Sequence, residues 1–117
     1  MYPISNQTRF FLYSEPTDMR KSFDGLCGIV SNELSANPLS GDVYIFINKK
    51  RDRIKMLIWD RSGFWILYKR LEKGSFQRLI FKDSKGVYIS YETLIMLLEG
   101  IDLNRIKRRR RYAKQIA

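Results

Sequence analysis

Three segments rich in β-branched and aromatic residues follow one another in the middle of the chain with very short connections between them. They span Val43–Asn48, Arg53–Asp60 and Phe64–Arg70, and their composition is typical of strands. The connecting turns at 49–52 and 61–63 have only four and three residues. Because connections this short join antiparallel neighbours, the sequence predicts an antiparallel meander at the centre of the fold.

Both faces of these predicted strands carry apolar side chains. In the first strand, Val43 and Ile45 alternate with Tyr44 and Phe46, whereas a sheet exposed on one face would alternate apolar with polar residues. We therefore expect helices, the chain ends or a partner protein to cover part of the second face.

The region before the meander predicts a short strand at 8–13 and then a helix. Apolar residues recur at helical spacing from Met19 to Leu34. Thr17 is a candidate N-cap, and Asp18 lies toward the positive end of the helix dipole. The predicted helix therefore runs from about Asp18 to Leu34.

The region after the meander predicts further short strands at 76–81 and 87–89. A short helix follows, with Ser90 as its N-cap and Gly100 at its end. Taken together, the patterns predict an α+β fold: an antiparallel sheet of about four to six strands, an N-terminal helix packed on it, a short C-terminal helix and a basic tail. Residues 1–103 are expected to form a single domain. The tail, 104–117, is expected to be disordered or helical only when bound.

The net charge of +10 on 117 residues is concentrated after the first predicted strand of the meander. Residues 1–48 hold three basic and five acidic side chains, whereas 49–117 hold nineteen basic and seven acidic ones. This asymmetry indicates a polyanionic partner, and DNA is the expected one. A solvated surface and a solubilising tail are the alternative interpretation. The candidate nucleic-acid-binding residues are Lys49, Lys50, Arg51, Arg53, Lys55, Lys69, Arg70, Lys73, Arg105, Lys107, Arg108, Arg109, Arg110 and Arg111.

Several classes of enzyme and metal site are excluded by composition. The chain has no His and a single Cys, so it has no Ser-His-Asp triad and no Cys-rich or His-bearing zinc site. The acidic residues have no spacing typical of a metal-dependent nuclease. We therefore predict that the protein is not an enzyme and has no cofactor or metal. No segment resembles a signal peptide or a membrane span, which predicts a cytoplasmic protein, with nucleoid association as an option.

Several segments resemble the accessory protein of insertion-sequence 66 elements, often called TnpB. The segments EPTDMRKSFDGL at 15–26, WDRSGF at 59–64 and KRLEKGSF at 69–76 occur in the order typical of that family. The resemblance extends from about Arg9 to Asp102. The signature residues that we expect to matter are Asp18, Met19, Arg20, Lys21, Phe23, Asp24, Trp59 and Asp60.

The resemblance implies a bacterial protein that is encoded in a mobile element beside a transposase and is needed for transposition. It implies no enzymatic activity or cofactor. Two hypotheses follow for this chain. In the first it binds DNA through its basic turn and tail, and in the second it is an adaptor that binds the transposase or another element-encoded protein. Arg20 and Lys21 are expected either to contact a phosphate or the transposase, or to pair along the helix, Lys21 with Asp18 and Arg20 with Asp24.

Overall fold

The computed structural model describes residues 4–79, 81 and 84–100. The strands are β1 (Phe10–Tyr13), β2 (Val43–Ile47), β3 (Arg53–Asp60), β4 (Gly63–Arg70) and β5 (Gly86–Ile89). The helices are α1 (Phe23–Gly28), which continues as a π-helical segment (Ile29–Glu33), and α2 (Tyr91–Glu99). The predicted α+β class is confirmed.

The five strands form one sheet in the order β4-β3-β2-β1-β5. Strands β2, β3 and β4 form the predicted antiparallel meander, and β5 pairs antiparallel with β1. The sheet is mixed, however, because β1 and β2 run parallel. The long connection through α1 makes this possible, since a parallel pair needs a crossover. The strand predicted at 76–81 is absent from 76–79, and residue 80 lies outside the described part of the chain.

Both faces of the sheet are covered by helices of the chain itself, as the apolar pattern on both faces indicated. One face packs against α1 and the π-helical segment through Leu26, Val30, Tyr44, Phe46 and Leu57. The other packs against α2 and the loop after β4, and the side chains that build it include Ile45, Met56, Phe76, Leu94 and Leu97. We call these the α1 face and the α2 face.

The first helix begins at Phe23, so the predicted start at Asp18 is wrong. The backbone N–H of Thr17 donates to the carbonyl oxygen of Ile47 at 2.9 Å. The Asp18 carboxylate accepts the backbone N–H of Arg20 at 2.9 Å. These bonds hold the segment in a loop against the end of β2. Ser22 therefore occupies the N-cap position, where it makes no side-chain capping bond.

The second helix begins and ends as predicted. The Ser90 hydroxyl accepts the backbone N–H of Thr93 at 3.1 Å, which is the bond that an N-cap residue supplies. Gly100 follows the helix with a φ of +77°, and a Cβ there would lie 2.9 Å from Leu71 Cδ1. Residues 101–117 lie outside the described part of the chain, so the predictions for the tail stay predictions.

Candidate nucleic-acid interface

The two basic segments of the meander meet at one end of the sheet. Arg53 at the start of β3 is the register partner of Arg70 at the end of β4. The backbone continues this ladder, because the N–H of Leu71 donates to the carbonyl oxygen of Asp52 at 2.7 Å. The β2–β3 turn therefore lies beside the end of β4 and the segment that follows it. We define the basic surface as five solvent-accessible cations of these segments, Lys49, Lys50, Arg53, Arg70 and Lys73.

Most of the basic surface is open to solvent. Lys49, Lys50, Arg70 and Lys73 are exposed, and Arg53 is half-buried. Arg53 Nη1 lies 3.4 Å from the hydroxyl oxygen of Tyr68. The two carboxylates in the same segments already have partners within the chain: Asp52 accepts the side-chain amide of Asn48 at 2.7 Å, and Glu72 pairs with Arg70 at 2.9 Å.

A groove of about 540 Å³ lies beside the basic surface. Lys49, Lys50 and Arg53 line one side of it, and the signature segment around Asp18 and Met19 lines the other. The signature segment and the basic turn are thus neighbours in space although about thirty residues separate them in sequence.

Lys55 has a structural role that differs from the phosphate contact predicted for it. The residue is only 8% exposed. Its Nζ donates to the carbonyl oxygens of Met19 and Lys21, both at 2.8 Å, and lies 4.8 Å from the centre of the Tyr68 ring. A buried ammonium needs such acceptors to offset its desolvation. Lys55 therefore fastens the signature segment to the sheet and is not available to a phosphate.

Arg51 is likewise held within the fold. Its guanidinium donates to the carbonyl oxygens of Phe76, at 2.9 Å, and Gln77. Burial and the nearby charge of Arg78 lower the pKa of Arg51. In return, the backbone N–H of Phe76 donates to the carbonyl oxygen of Arg51 at 2.6 Å. Arg51 therefore holds in place the loop that positions Phe76 on the α2 face.

Lys69 points to the other face of the sheet from Arg70. Its Nζ donates to the carbonyl oxygen of Leu98 at 2.7 Å. That carbonyl belongs to the last turn of α2, where a cation is favoured by the helix dipole. The candidate site Lys69 thus lies apart from the basic surface.

The signature cation Arg20 lies before α1, so the predicted pairing along the helix is wrong for it. Its guanidinium pairs with the carboxylate of Asp18 at 2.6 Å. This ion pair lowers the pKa of Asp18 to about 2. Lys21, Phe23 and Asp24 are all exposed at the start of α1.

The signature residues Trp59 and Asp60 build the β3–β4 hairpin, far along the strands from the basic surface. Trp59 packs edge-on against Phe64, with 5.1 Å between ring centres. The Asp60 carboxylate accepts the indole N–H of Trp65 at 3.1 Å. These contacts indicate that Trp59 and Asp60 stabilise the β3–β4 hairpin.

The remaining candidates, Arg105, Lys107 and Arg108 to Arg111, lie outside the described residues. Within the described part of the chain, no group of three or more His, Cys, Asp or Glu side chains is arranged to hold a metal ion. No helix among the same residues is long and apolar enough to cross a membrane.

A match to a protein-family model covers most of the chain and assigns it to a family. A family model described as IS66 Orf2 like protein matches residues 8–108. The chain belongs to the IS66 Orf2-like family. This confirms the resemblance found in the signature segments and associates the chain with transposition of insertion sequences.

Two relatives of the IS66 Orf2-like chain come from Sinorhizobium fredii (strain NBRC 101917 / NGR234). Uncharacterized protein y4jC is 34% identical over 105 residues, which cover 90% of this chain and 89% of the relative. Uncharacterized protein y4hO is 32% identical over 104 residues, which cover 87% and 88% of the two chains. No solved structure matches this chain.

Sequence reasoning missed the structural roles of Arg51 and Lys55. A signal for Lys55 was present, because it shares a strand face with Leu57 and Trp59 and a lone lysine on an apolar face is a candidate for burial. No comparable signal marks Arg51. Its partners are backbone carbonyls 25 and 26 residues away.

Proposed function

We propose that this chain is a non-catalytic accessory protein of transposition, acting in the cytoplasm, that binds DNA phosphates through the basic surface. Residues Arg105 to Arg111 of the tail would add further phosphate contacts, and a separate transposase would carry out the strand chemistry. The observation that supports this proposal is the convergence of Lys49, Lys50, Arg53, Arg70 and Lys73 at one end of the sheet.

The arrangement favours recognition of the DNA backbone over reading of bases. No Lys or Arg occurs in α1, in its π-helical continuation or in α2. A helix placed in the major groove commonly uses such residues to recognise guanine. Within the described part of the chain, the cations of the basic surface lie instead on a turn, at strand ends and in the loop after β4. Contacts of this kind supply affinity that depends weakly on sequence and strongly on salt.

A salt titration of DNA binding tests the proposal. Fluorescence anisotropy with the full chain, with one DNA from the element end and one of random sequence, should give a linear fall of log K against log salt. The magnitude of the slope is expected to be about 0.9 per phosphate neutralised. Replacing Arg108 to Arg111 with Gln should reduce that slope by about 3 to 4. Absence of binding to either DNA at low salt overturns the proposal.

A second candidate function is the adaptor. A partner protein was one of the expected covers of the second sheet face, but α2 and Phe76 cover that face within the chain. The exposed side of α2 takes its place as the candidate, because Tyr91, Ile95 and Met96 are 57%, 39% and 66% exposed. The adaptor reading predicts that the transposase co-purifies with the chain after nuclease treatment. Replacing Ile95 and Met96 with Ser should abolish that co-purification.

A further inference from the structure

Among the residues that the structure describes, no further strand pairs with the outer edge of β4. Strand β4 is the last strand in the order β4-β3-β2-β1-β5 and has eight residues. The bond from the N–H of Leu71 to Asp52 fixes which of its backbone groups face β3, because hydrogen-bonded positions alternate along an antiparallel ladder. The odd-numbered residues of β4 bond β3. The backbone N–H and C=O groups of Phe64, Ile66, Tyr68 and Arg70 therefore point outward.

The sequence of this edge strand lacks the features that usually protect an edge. Natural edge strands are short, interrupted by proline or bulges, or charged along their length. From Phe64 to Tyr68 the strand FWILY has no charge and no proline. Trp65 and Tyr68 are 48% and 51% exposed. An apolar edge of this length is suited to pairing with another strand.

The pattern along β4 is self-complementary. Two aromatic residues open the segment FWILYKR, and two cations close it. Residues on opposite sides of an antiparallel pair lie on the same face, and an ammonium or guanidinium placed over an aromatic ring is attracted to it. Antiparallel pairing of this segment with itself therefore sets each cation opposite an aromatic ring and keeps like charges apart.

We propose that β4 pairs antiparallel with β4 of a second copy of this chain, with the two-fold axis at Leu67. In this register Phe64 lies opposite Arg70 of the second copy, Trp65 opposite Lys69, and Ile66 opposite Tyr68. The outward backbone groups supply up to eight hydrogen bonds across the axis. Two five-stranded sheets become one sheet of ten strands.

Pairing through β4 does not depend on DNA binding, but it would fix how the basic surfaces of the two copies are placed. A two-fold axis perpendicular to the sheet leaves the α1 faces of both copies on the same side. Arg70 of each copy is then about 20 Å along the strands from the other, at about 3.4 Å per residue. One dimer would present two basic surfaces to the same side.

Charge substitutions at Trp65 test the pairing by sedimentation velocity of the full chain over a wide concentration range. Trp65→Lys faces Lys69 of the second copy, so the dimer dissociation constant should rise at least tenfold. Trp65→Glu faces the same lysine and should dimerise at least tenfold more tightly than Trp65→Lys. Within one copy the preference is opposite, because residue 65 lies beside Asp60, so a mere loss of stability would favour Trp65→Lys. A wild-type chain that sediments as a monomer throughout, or two variants with equal dimer affinity, overturns the proposal.

A disulfide measures the register. Leu67 faces its own counterpart at about 4.5 Å between Cα atoms in a pair without direct hydrogen bonds, which is within disulfide range. In a chain that carries Cys27→Ser, Leu67→Cys should form a covalent dimer under mild oxidation. Trp65→Cys is the matched control, since its two copies would be about 14 Å apart along the strands. Circular dichroism of both variants should match that of the wild-type chain, as a control for folding. Equal cross-linking of the two variants, or no cross-linking at position 67 in a folded chain, contradicts the register.

Discussion

The basic residues of this chain fall into two groups that look alike in the sequence and differ in the structure. Arg51, Lys55 and Lys69 donate to backbone carbonyls of distant segments. Lys49 and Lys50 lie beside Arg51 in the same turn but are exposed. A run of cations is therefore not a single functional unit.

The difference arises from where each side chain points. Along β3 and β4 successive side chains face opposite sides of the sheet, so neighbours such as Lys69 and Arg70 go to different surroundings. A cation that enters the fold must find acceptors for its N–H groups. One that stays on the surface keeps its charge available to a partner. We expect substitutions in the first group to change stability and substitutions in the second to change DNA affinity.

The largest effect on stability is expected for Lys55→Met. The change leaves the carbonyl oxygens of Met19 and Lys21 without their donor, and hydrogen bonds that involve a charged group contribute about 1.5–3 kcal/mol each. We expect the free energy of unfolding to fall by about 3 kcal/mol in a urea titration. Lys50→Met is the matched control and should change it by less than about 0.5 kcal/mol. Equal effects of the two substitutions on the free energy of unfolding would contradict the division of the cations into two groups.

A smaller and more local effect is expected for Arg51→Ala. The two bonds that Arg51 donates to the loop after β4 are part-buried and exposed. Because water can replace such donors more easily than at Lys55, their loss should cost only about 1–2 kcal/mol. Hydrogen exchange should show reduced protection at Phe76, whose N–H bonds the backbone of residue 51. Unchanged protection at that amide would show that the side chain does not hold the loop.

Lys69→Ala is expected to cost about 0.3–1 kcal/mol, the usual worth of a cation at the end of a helix. The effect should fall on α2, because the Lys69 ammonium contacts the carbonyl of Leu98. Thermal unfolding in low and high salt measures it, and salt should reduce the difference from wild type. A difference that persists in high salt argues against the dipole as its cause.

The smallest effect is the pH dependence that comes from Asp18. Its pKa of about 2 lies below the ordinary 3.8 because of the Arg20 ion pair. A carboxyl whose pKa is depressed on folding stabilises the protein above its unfolded pKa, and this contribution is lost as the pH falls from about 4 to about 2. NMR titration should report the low pKa in wild type and a value closer to 3.8 in Arg20→Gln. An unchanged pKa in that variant would show that another group holds the carboxylate.

The central architecture could be predicted because its signals are local. Short turns at 49–52 and 61–63 require an antiparallel meander, and the capping bond of Ser90 needs only the residues beside it. The parallel β1–β2 pair could not be predicted, since strand pairing across a helix depends on distant contacts. The start of α1 was misplaced for the same reason: Thr17 bonds Ile47, thirty residues away.

The sequence did not decide whether the two basic segments lie together, nor which of their cations stay exposed. The register of β3 with β4 brings Arg53 to Arg70, as adjacent strands allow. Which cations stay exposed depends on the segment that lies over each one. Lys55 is covered by the signature loop and Arg53 only partly, although both lie on the same strand face.

The most direct measurement compares salt slopes of DNA binding for two variants of equal net charge. Lys49→Gln with Lys50→Gln removes two cations from the basic surface, whereas Arg61→Gln with Lys85→Gln removes two from other parts of the chain. If phosphates contact the basic surface, the first variant should reduce the slope of log K against log salt by about 2, and the second should leave it within about 0.5 of wild type. Equal slopes for the two variants would contradict the account, because the affinity would then depend on total charge alone.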